Sequence, residues 1–223
     1  MNYLIVVAHP DDEVLGVGAT ISKLIKNGNN VAVAFMVGKV EARNALSSSL
    51  SLDISNALSI LGVNKTYFAA FPNIKMNTCP HIELVQFIEM CILDFNAESI
   101  ITHHPADTNN DHVQTSYAVQ SAFRISQRQT DVKKLKQLLY MEVLSSTERI
   151  LDNSSNIFRP NYFVEIGENG LKLKLKSLSK YKGVMREYPH PRSAETIKAL
   201  ATLRGSQAGC KYAEAFELAF MVS

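Results

Sequence analysis

An apolar, β-branched run, Tyr3-Leu-Ile-Val-Val-Ala8, stops abruptly at His9-Pro10-Asp11-Asp12-Glu13. Apolar residues at helical spacing follow at once, Val14-Leu15, Ile21 and Leu24-Ile25, up to Asn27-Gly28. This reads as a strand over 3–8, a charged loop and a helix over 14–27, with Gly28 as its stop. No other stretch constrains the fold as much, because a buried strand feeding a helix is half of a βαβ crossover, and open α/β sheets bind their ligands outside the carboxyl ends of their strands. One imidazole and three carboxylates at that place suit a divalent ion. An Asp pair in front of a helix is more often a cap that answers orphan N–H groups and the helix dipole. The stretch alone does not choose between the two.

The rest of the chain repeats the alternation. Val31–Val37 reads as a second buried strand with an exit loop over 38–43, and a helix is predicted over 44–61, closed by Gly62. A short strand over 66–70 and a turn-rich loop over 72–80 precede a helix beginning near Ile82. A fourth strand over 98–103 leads into the polar loop His104-Pro-Ala-Asp-Thr-Asn-Asn-Asp111, after which His112 opens a helix to about Gln127. Further strands are expected over 138–143 and 161–166, and helices over 170–185 and 193–204 flank Tyr188-Pro-His-Pro-Arg192. The segment 213–222 suits either a terminal helix or a strand. Strands alternating with helices of this length predict a Rossmann-like, doubly wound, mostly parallel α/β sheet with helices on both faces. No repeat or linker divides the chain, so 1–223 is read as one domain, a length that buries roughly 70% of the unfolded surface.

Composition narrows the partners. A formal charge of +2 argues against nucleic acid or an anionic membrane surface. The basic cluster Lys172, Lys174, Lys176, Lys180 and Lys182 reads as a solvated face. Three widely spaced cysteines without a C-x-x-C pattern indicate neither a disulfide framework nor a thiolate metal site, and fit a reducing cytoplasm. No basic leader or cleavage site opens the chain, and no apolar run approaches the roughly 20 residues of a membrane span. The oligomeric state is left open, a homo-oligomer included.

In a parallel sheet the loops after the first and fourth strands share one edge, so His9-Pro-Asp11-Asp12 and Asp111-His112 can meet there. Two ligands from one loop and one from the other would leave a coordination position open, as catalytic zinc sites do. Asp111 could orient its own or a neighbouring imidazole from behind.

These residues carry a family resemblance. Ala8-His-Pro-Asp-Asp-Glu13 with Leu15-Gly16 resembles the signature of the LmbE/PIG-L family of zinc-dependent N-deacetylases, and Thr102-His-His-Pro with Asp107-Thr-Asn-Asn-Asp111-His112 resembles its second metal motif. Glu142–Glu148, Phe158–Asn161, Pro189–Ser193 and Ala213–Phe216 extend the likeness along the chain. The resemblance implies a Rossmann-like fold, a divalent ion (usually Zn²⁺) and hydrolysis of an N-acetyl group on an amino sugar. It implies His9, Asp12 and His112 as metal ligands and Asp11 as general base. Chemistry agrees with that division: a divalent ion brings the pKa of water down towards about 7, where a neighbouring carboxylate can take its proton.

The chain departs from the family pattern twice. Many members carry a His where Asn109 stands, and an amide can donate a hydrogen bond to an oxyanion but cannot deliver a proton. His190, between two prolines, is the candidate for the missing acid, with Arg192 beside it facing the site. The alternative is an exposed loop His beside a structural Arg, with the chain relying on the metal and Asp11 alone. Members also place an Arg about twelve residues before Leu61-Gly62, where this chain has Leu50-Ser-Leu-Asp53. Arg43 is therefore expected to contact sugar or phosphate, or else to be solvated. Glu13 is read as a cap, a support for the ligands or a substrate contact, His103 as buried structure, His104 as a donor behind the ligands, and His81 as a helix start without catalytic role. The expected substrate is an N-acetylated sugar, as a sugar nucleotide, glycolipid or glycosylated metabolite. The alternatives are a metal-dependent hydrolase of an ester or phosphoester, or a non-catalytic sugar- or nucleotide-binding module.

Overall fold

A computed structural model describes residues 1–37, 47–130, 132–149 and 157–223. Its elements in chain order are β1 (Asn2–Val7), α1 (Asp12–Lys26), β2 (Asn30–Phe35), α2 (Ser47–Leu61), β3 (Lys65–Phe68), α3 (His81–Phe95), β4 (Ser99–His103), α4 (Asn110–Ala122), α5 (Ile125–Arg128), β5 (Gln137–Met141), β6 (Tyr162–Glu165), α6 (Gly167–Leu178), α7 (Ala194–Ala208) and β7 (Ala213–Met221). Among the described residues they form one sheet of order β3-β2-β1-β4-β5-β7-β6. The first five strands run parallel, and β7 lies antiparallel between β5 and β6.

Period-two alternation divides the core. Ile5 and Val7 of β1 pack with apolar residues of α1, α2, α6 and α7, whereas Leu4 and Val6 pack with those of α3 and α4. Burial on both faces is why these strands read as continuous apolar runs. The strand order turns back between β1 and β4, whose register pairs Val6 with Thr102. The carboxyl ends of these two strands therefore stand level at the crevice where such sheets take ligands.

Local chemistry explains the first helix. Asp12 and Glu13 occupy its first turn and Lys23 and Lys26 its last, which complements the dipole. Gly28, at φ 79°, supplies the left-handed residue just beyond the end. Gly16 allows close approach, since a Cβ there would stand 2.4 Å from Met141 Sδ at the end of β5.

The structure corrects several expectations. The helix expected over 112–127 is two pieces, α4 and α5. The one expected over 170–185 ends at Leu178, and Tyr181, Lys182, Val184 and Arg192 beyond it line the cavity at the ligand edge. The segment 213–222 is a strand. Lys174 is not on a solvated face: it is buried, with Nζ 2.7 Å from Glu214 Oε1, while Lys172, Lys176, Lys180 and Lys182 are exposed. Glu214 also accepts the Ala19 and Thr20 backbone N–H groups, so this buried charge is paired and hydrogen-bonded. The expected loop over 38–43, with Arg43, and the expected helix start at 44–46 lie outside the described residues.

Candidate active site

The loop after β1 and the start of α4 meet at the β1/β4 crevice. Asp12 Oδ2 lies 3.3 Å from His9 Nδ1 and 3.2 Å from His112 Nε2. Ligand atoms of His9, Asp12 and His112 all fall within 4.8 Å of one another. The two imidazoles are oriented from behind by carboxylates. His9 Nε2 is 3.0 Å from Asp111 Oδ2, and His112 Nδ1 is 3.2 Å from Asp107 Oδ2. Such pairs fix which ring nitrogen faces an ion and raise its basicity.

Asp107 and Asp111 are themselves anchored. Asp107 accepts from Thr147 Oγ1 at 2.6 Å and Ser146 Oγ at 3.1 Å, both in the loop after β5. Asp111 accepts the backbone N–H groups of Ile74 and Met76 at 2.6 and 3.1 Å. Burial pushes both carboxyls up, but these donors and the facing imidazoles outweigh it and hold them below the usual carboxylate range. Burial likewise opposes ionisation of Asp12, and the His112 charge and the two imidazole hydrogen bonds leave it well below that range.

The same carboxylates act on the rings. Burial favours neutral imidazole at both positions, yet Asp111 and Asp12 raise His9 to about 9, and Asp12 and Asp107 raise His112 to about 10. A cluster that holds two protons on two imidazoles among three carboxylates is built for positive charge. A divalent cation satisfies it in exchange for those protons, and nitrogen with carboxylate oxygen is a donor set zinc accepts. The residues therefore fit the ion that the motif implies.

Asp11 stands beside this trio but turns elsewhere. Its backbone adopts φ 109°, a strained value for a residue with a side chain. Its carboxylate makes no cap hydrogen bond to α1, so the cap reading fails for it. Instead Oδ2 accepts from Arg192 Nη1 at 3.0 Å, and Arg192 Nε donates to Ser145 Oγ at 2.8 Å. Burial and then the adjacent Asp12 charge push the Asp11 carboxyl up to about 7, against the pull of Arg192. Glu13 is fully buried; it accepts the Asp11 N–H at 3.0 Å and the Tyr181 hydroxyl at 2.5 Å. Glu13 and Arg192 thus hold Asp11 by its backbone and by its carboxylate.

A cavity of about 200 Å³ opens over these groups. Pro10, Leu50, Ile74 and Val184 give it apolar walls, and Asp53, Asn73, Asn109, Tyr181, Lys182 and Arg192 its polar ones. Asn109 caps α4, its Oδ1 accepting the Asp111 N–H at 2.9 Å. His190 is exposed, lies outside the residues lining the cavity, and accepts the Arg192 N–H on Nδ1. The Pro189–Arg192 segment thus brings Arg192 to Asp11 and leaves His190 at the surface. His104 sits apart, between the rings of Tyr140 and Phe158, with Nε2 3.4 Å from Glu217.

His103 is fully buried and stacks on His112 with centroids 3.8 Å apart. Burial and the His112 charge lower it to about 3. Its Nε2 accepts the Ala8 N–H at 2.9 Å, so the 3.5 Å approach of that nitrogen to Asp12 is not an ion pair. His81 opens α3, with Nε2 3.2 Å from Ser121 Oγ, away from the site.

Sequence reading missed Asp107, Asp53 and Tyr181. Asp107 stands in the quoted motif, five residues before His112, and a buried partner for that ring was the available signal. Asp53 and Tyr181 carry no comparable signal, because their neighbours in space come from distant segments.

A Rossmann-like sheet with an imidazole–carboxylate cluster that could hold a metal ion at its topological switch, and a strained buried carboxylate beside it, defines an α/β protein with a candidate metal centre. The chain belongs to the PIG-L family, whose model, described as GlcNAc-PI de-N-acetylase, matches residues 4–123. It is similar to the Escherichia coli protein named uncharacterized deacetylase YaiS, 27% identical over 187 residues, covering 80% of this chain and 89% of that one. The fold matches N,N'-diacetylchitobiose deacetylase from Pyrococcus horikoshii with a TM-score of 0.78 at 19% identity, over 97% of this chain and 83% of that one. It matches the 4-carboxy-2-hydroxymuconate hydratase GalB from Pseudomonas putida at 0.81 and 18% identity, over 100% and 97% of the two chains. Among the described residues no helix is long and apolar enough to cross a membrane.

Proposed function

We propose that the protein is a metal-dependent N-deacetylase that removes acetate from an N-acetylated amino sugar, with zinc as the resident ion. The observation that carries this reading is the convergence of His9, Asp12 and His112 beside Asp11, a buried carboxylate tied to no ligand position. Family membership and the deacetylases of similar fold or sequence support the reaction class. The hydratase of the same fold marks where likeness of fold alone stops. We read 1–223 as one working domain, and place it in the cytoplasm on the free cysteines Cys79, Cys91 and Cys210.

When bound, the ion supplies Lewis-acid polarisation of the acetyl carbonyl and lowers the pKa of water towards about 7. Asp11 takes the proton of the water that adds to the carbonyl carbon. Arg192 holds the Asp11 carboxylate in place; its guanidinium stays charged, so it orients and delivers no proton. Asn109 has its carbonyl committed to the cap of α4, which leaves its amide hydrogens for the oxyanion. As the C–N bond breaks, Asp11 returns its proton to the leaving amine and acetate departs. With His190 at the surface, one carboxylate serves both proton transfers. The cavity, about 200 Å³, has room for a single sugar ring over the site.

Zinc-loaded protein incubated with N-acetyl sugars should release acetate, measured enzymatically, and no phosphate. Asp11→Asn should retain one zinc per chain while turnover falls by about 10²–10⁴-fold. Phosphate release, or equal turnover of the two forms, would overturn the assignment.

A further inference from the structure

Asp53 is a buried carboxylate that the reaction above does not use. It sits inside α2, its residue 6% exposed, and lines the same cavity as Asp11 and Asp12. Among the described residues its only hydrogen bond is from the Lys182 backbone N–H to Oδ2, at 3.3 Å. No Lys, Arg or His side chain among them comes within ion-pair distance. The other buried acids at this edge are answered: Asp12, Asp107 and Asp111 by imidazoles, Asp11 by Arg192, and Glu13 by the Tyr181 hydroxyl and the Asp11 N–H. Carboxylates are almost never buried without a partner, because desolvation of an unanswered charge is costly. A carboxylate without a charged partner among the described residues, on a cavity wall, is placed to take hydrogen bonds from a ligand.

We infer that Asp53 is the specificity residue of the sugar subsite: it accepts hydroxyl hydrogens of an uncharged N-acetylhexosamine and turns away substrates carrying a phosphate on the ring. This rests on the deacetylase reading of the site. A hydroxyl gives a carboxylate a short, charge-assisted hydrogen bond. A phosphate in the same place would meet a like charge in a poorly screened cavity. Lys182 also lines the cavity, but it is exposed, and an exposed lysine returns little to an anion. Asn73 has no hydrogen-bond partner among the described residues and adds a neutral donor and acceptor suited to further hydroxyls. Leu50, Ile74 and Val184 offer apolar surface to the C–H face of a pyranose.

The test compares kcat/KM for acetate release from three probes, the methyl glycoside of N-acetylglucosamine and its 1-phosphate and 6-phosphate. Zinc-loaded wild type should prefer the methyl glycoside at least about tenfold over either phosphate. Asp53→Asn, which keeps the shape and an acceptor for the Lys182 N–H, should lower kcat/KM for the glycoside by about ten- to a hundredfold, through KM. It should also bring the preference close to one. Wild type that handles a phosphate as well as the glycoside, or a preference that Asp53→Asn leaves intact, overturns the inference and leaves the deacetylase reading standing. The wild-type comparison alone decides this if the variant does not fold. No acetate from any probe overturns both.

Discussion

Four histidines crowd one edge of the sheet, and their two pairs are treated in opposite ways. His9 and His112 each face Asp12 with one ring nitrogen and a second carboxylate with the other, Asp111 or Asp107. His103 and His104 each spend a ring nitrogen accepting a backbone N–H, from Ala8 and Ala106. The first pair is raised to about 9 and about 10, whereas burial lowers both members of the second. Residue type is shared, and carboxylates lie near all four rings. What differs is that His9 and His112 face a carboxylate with both ring nitrogens, whereas His103 and His104 give one nitrogen to a backbone N–H. What suits an imidazole here to a metal ion, on the proposed reading, is the acid behind it, which sets the tautomer and draws in positive charge.

Removing the acid shared by His9 and His112 should break the contrast most completely. Asp12→Ala takes away one ligand and the charge that both rings face, and the account predicts loss of bound zinc and of acetate release to background. Stoichiometric zinc in that variant, by atomic emission, would contradict it. Next in size is the dependence on pH. Both rings are protonated at pH 7 in the metal-free protein and neutral when ligating, so zinc binding should release about two protons there. Zinc affinity should therefore fall about a hundredfold per unit as pH drops from 8 to 6. Calorimetry in buffers of different ionisation enthalpy checks the count, and no proton release would show that the rings are already neutral.

Smaller effects separate the two pairs. Asp107→Asn, which weakens the group behind His112, should cost about 10–100-fold in zinc affinity. At the other ring pair, His103→Leu should leave zinc affinity within about twofold. It strands the Ala8 N–H and should cost about 1–3 kcal/mol in denaturant unfolding. A loss of zinc in His103→Leu comparable with that in Asp107→Asn would erase the distinction between the pairs.

The parts legible in the sequence are those written in short segments. Apolar runs and helical periodicity place β1, α1, β2 and β4, and a parallel sheet brings the two polar loops to one edge. The triplet His9, Asp12 and His112 emerges from that topology together with the motif. Residues whose role depends on a distant partner were not legible. Asp107 meets Ser146 and Thr147, Glu13 meets Tyr181, and Lys174 meets Glu214, all separations that periodicity does not carry. Lys174 looked solvated because alternation with Leu and Ser suits an exposed face as well as one facing a buried acid. Segment 213–222 stayed ambiguous because its apolar residues alternate only in part; strand pairing with β5 and β6 decides it. The stiffness of Tyr188–Arg192 was legible, but not which of its two basic residues would face Asp11.

The central claim is that one divalent ion is held by His9, Asp12 and His112 with Asp11 alongside. Its most direct test is anomalous diffraction at the zinc edge from zinc-loaded crystals. The account predicts a single strong peak bonded to His9 Nδ1, an Asp12 carboxylate oxygen and His112 Nε2, with Asp11 outside the coordination sphere. A peak elsewhere, or one at which Asp11 replaces any of the three, would contradict it.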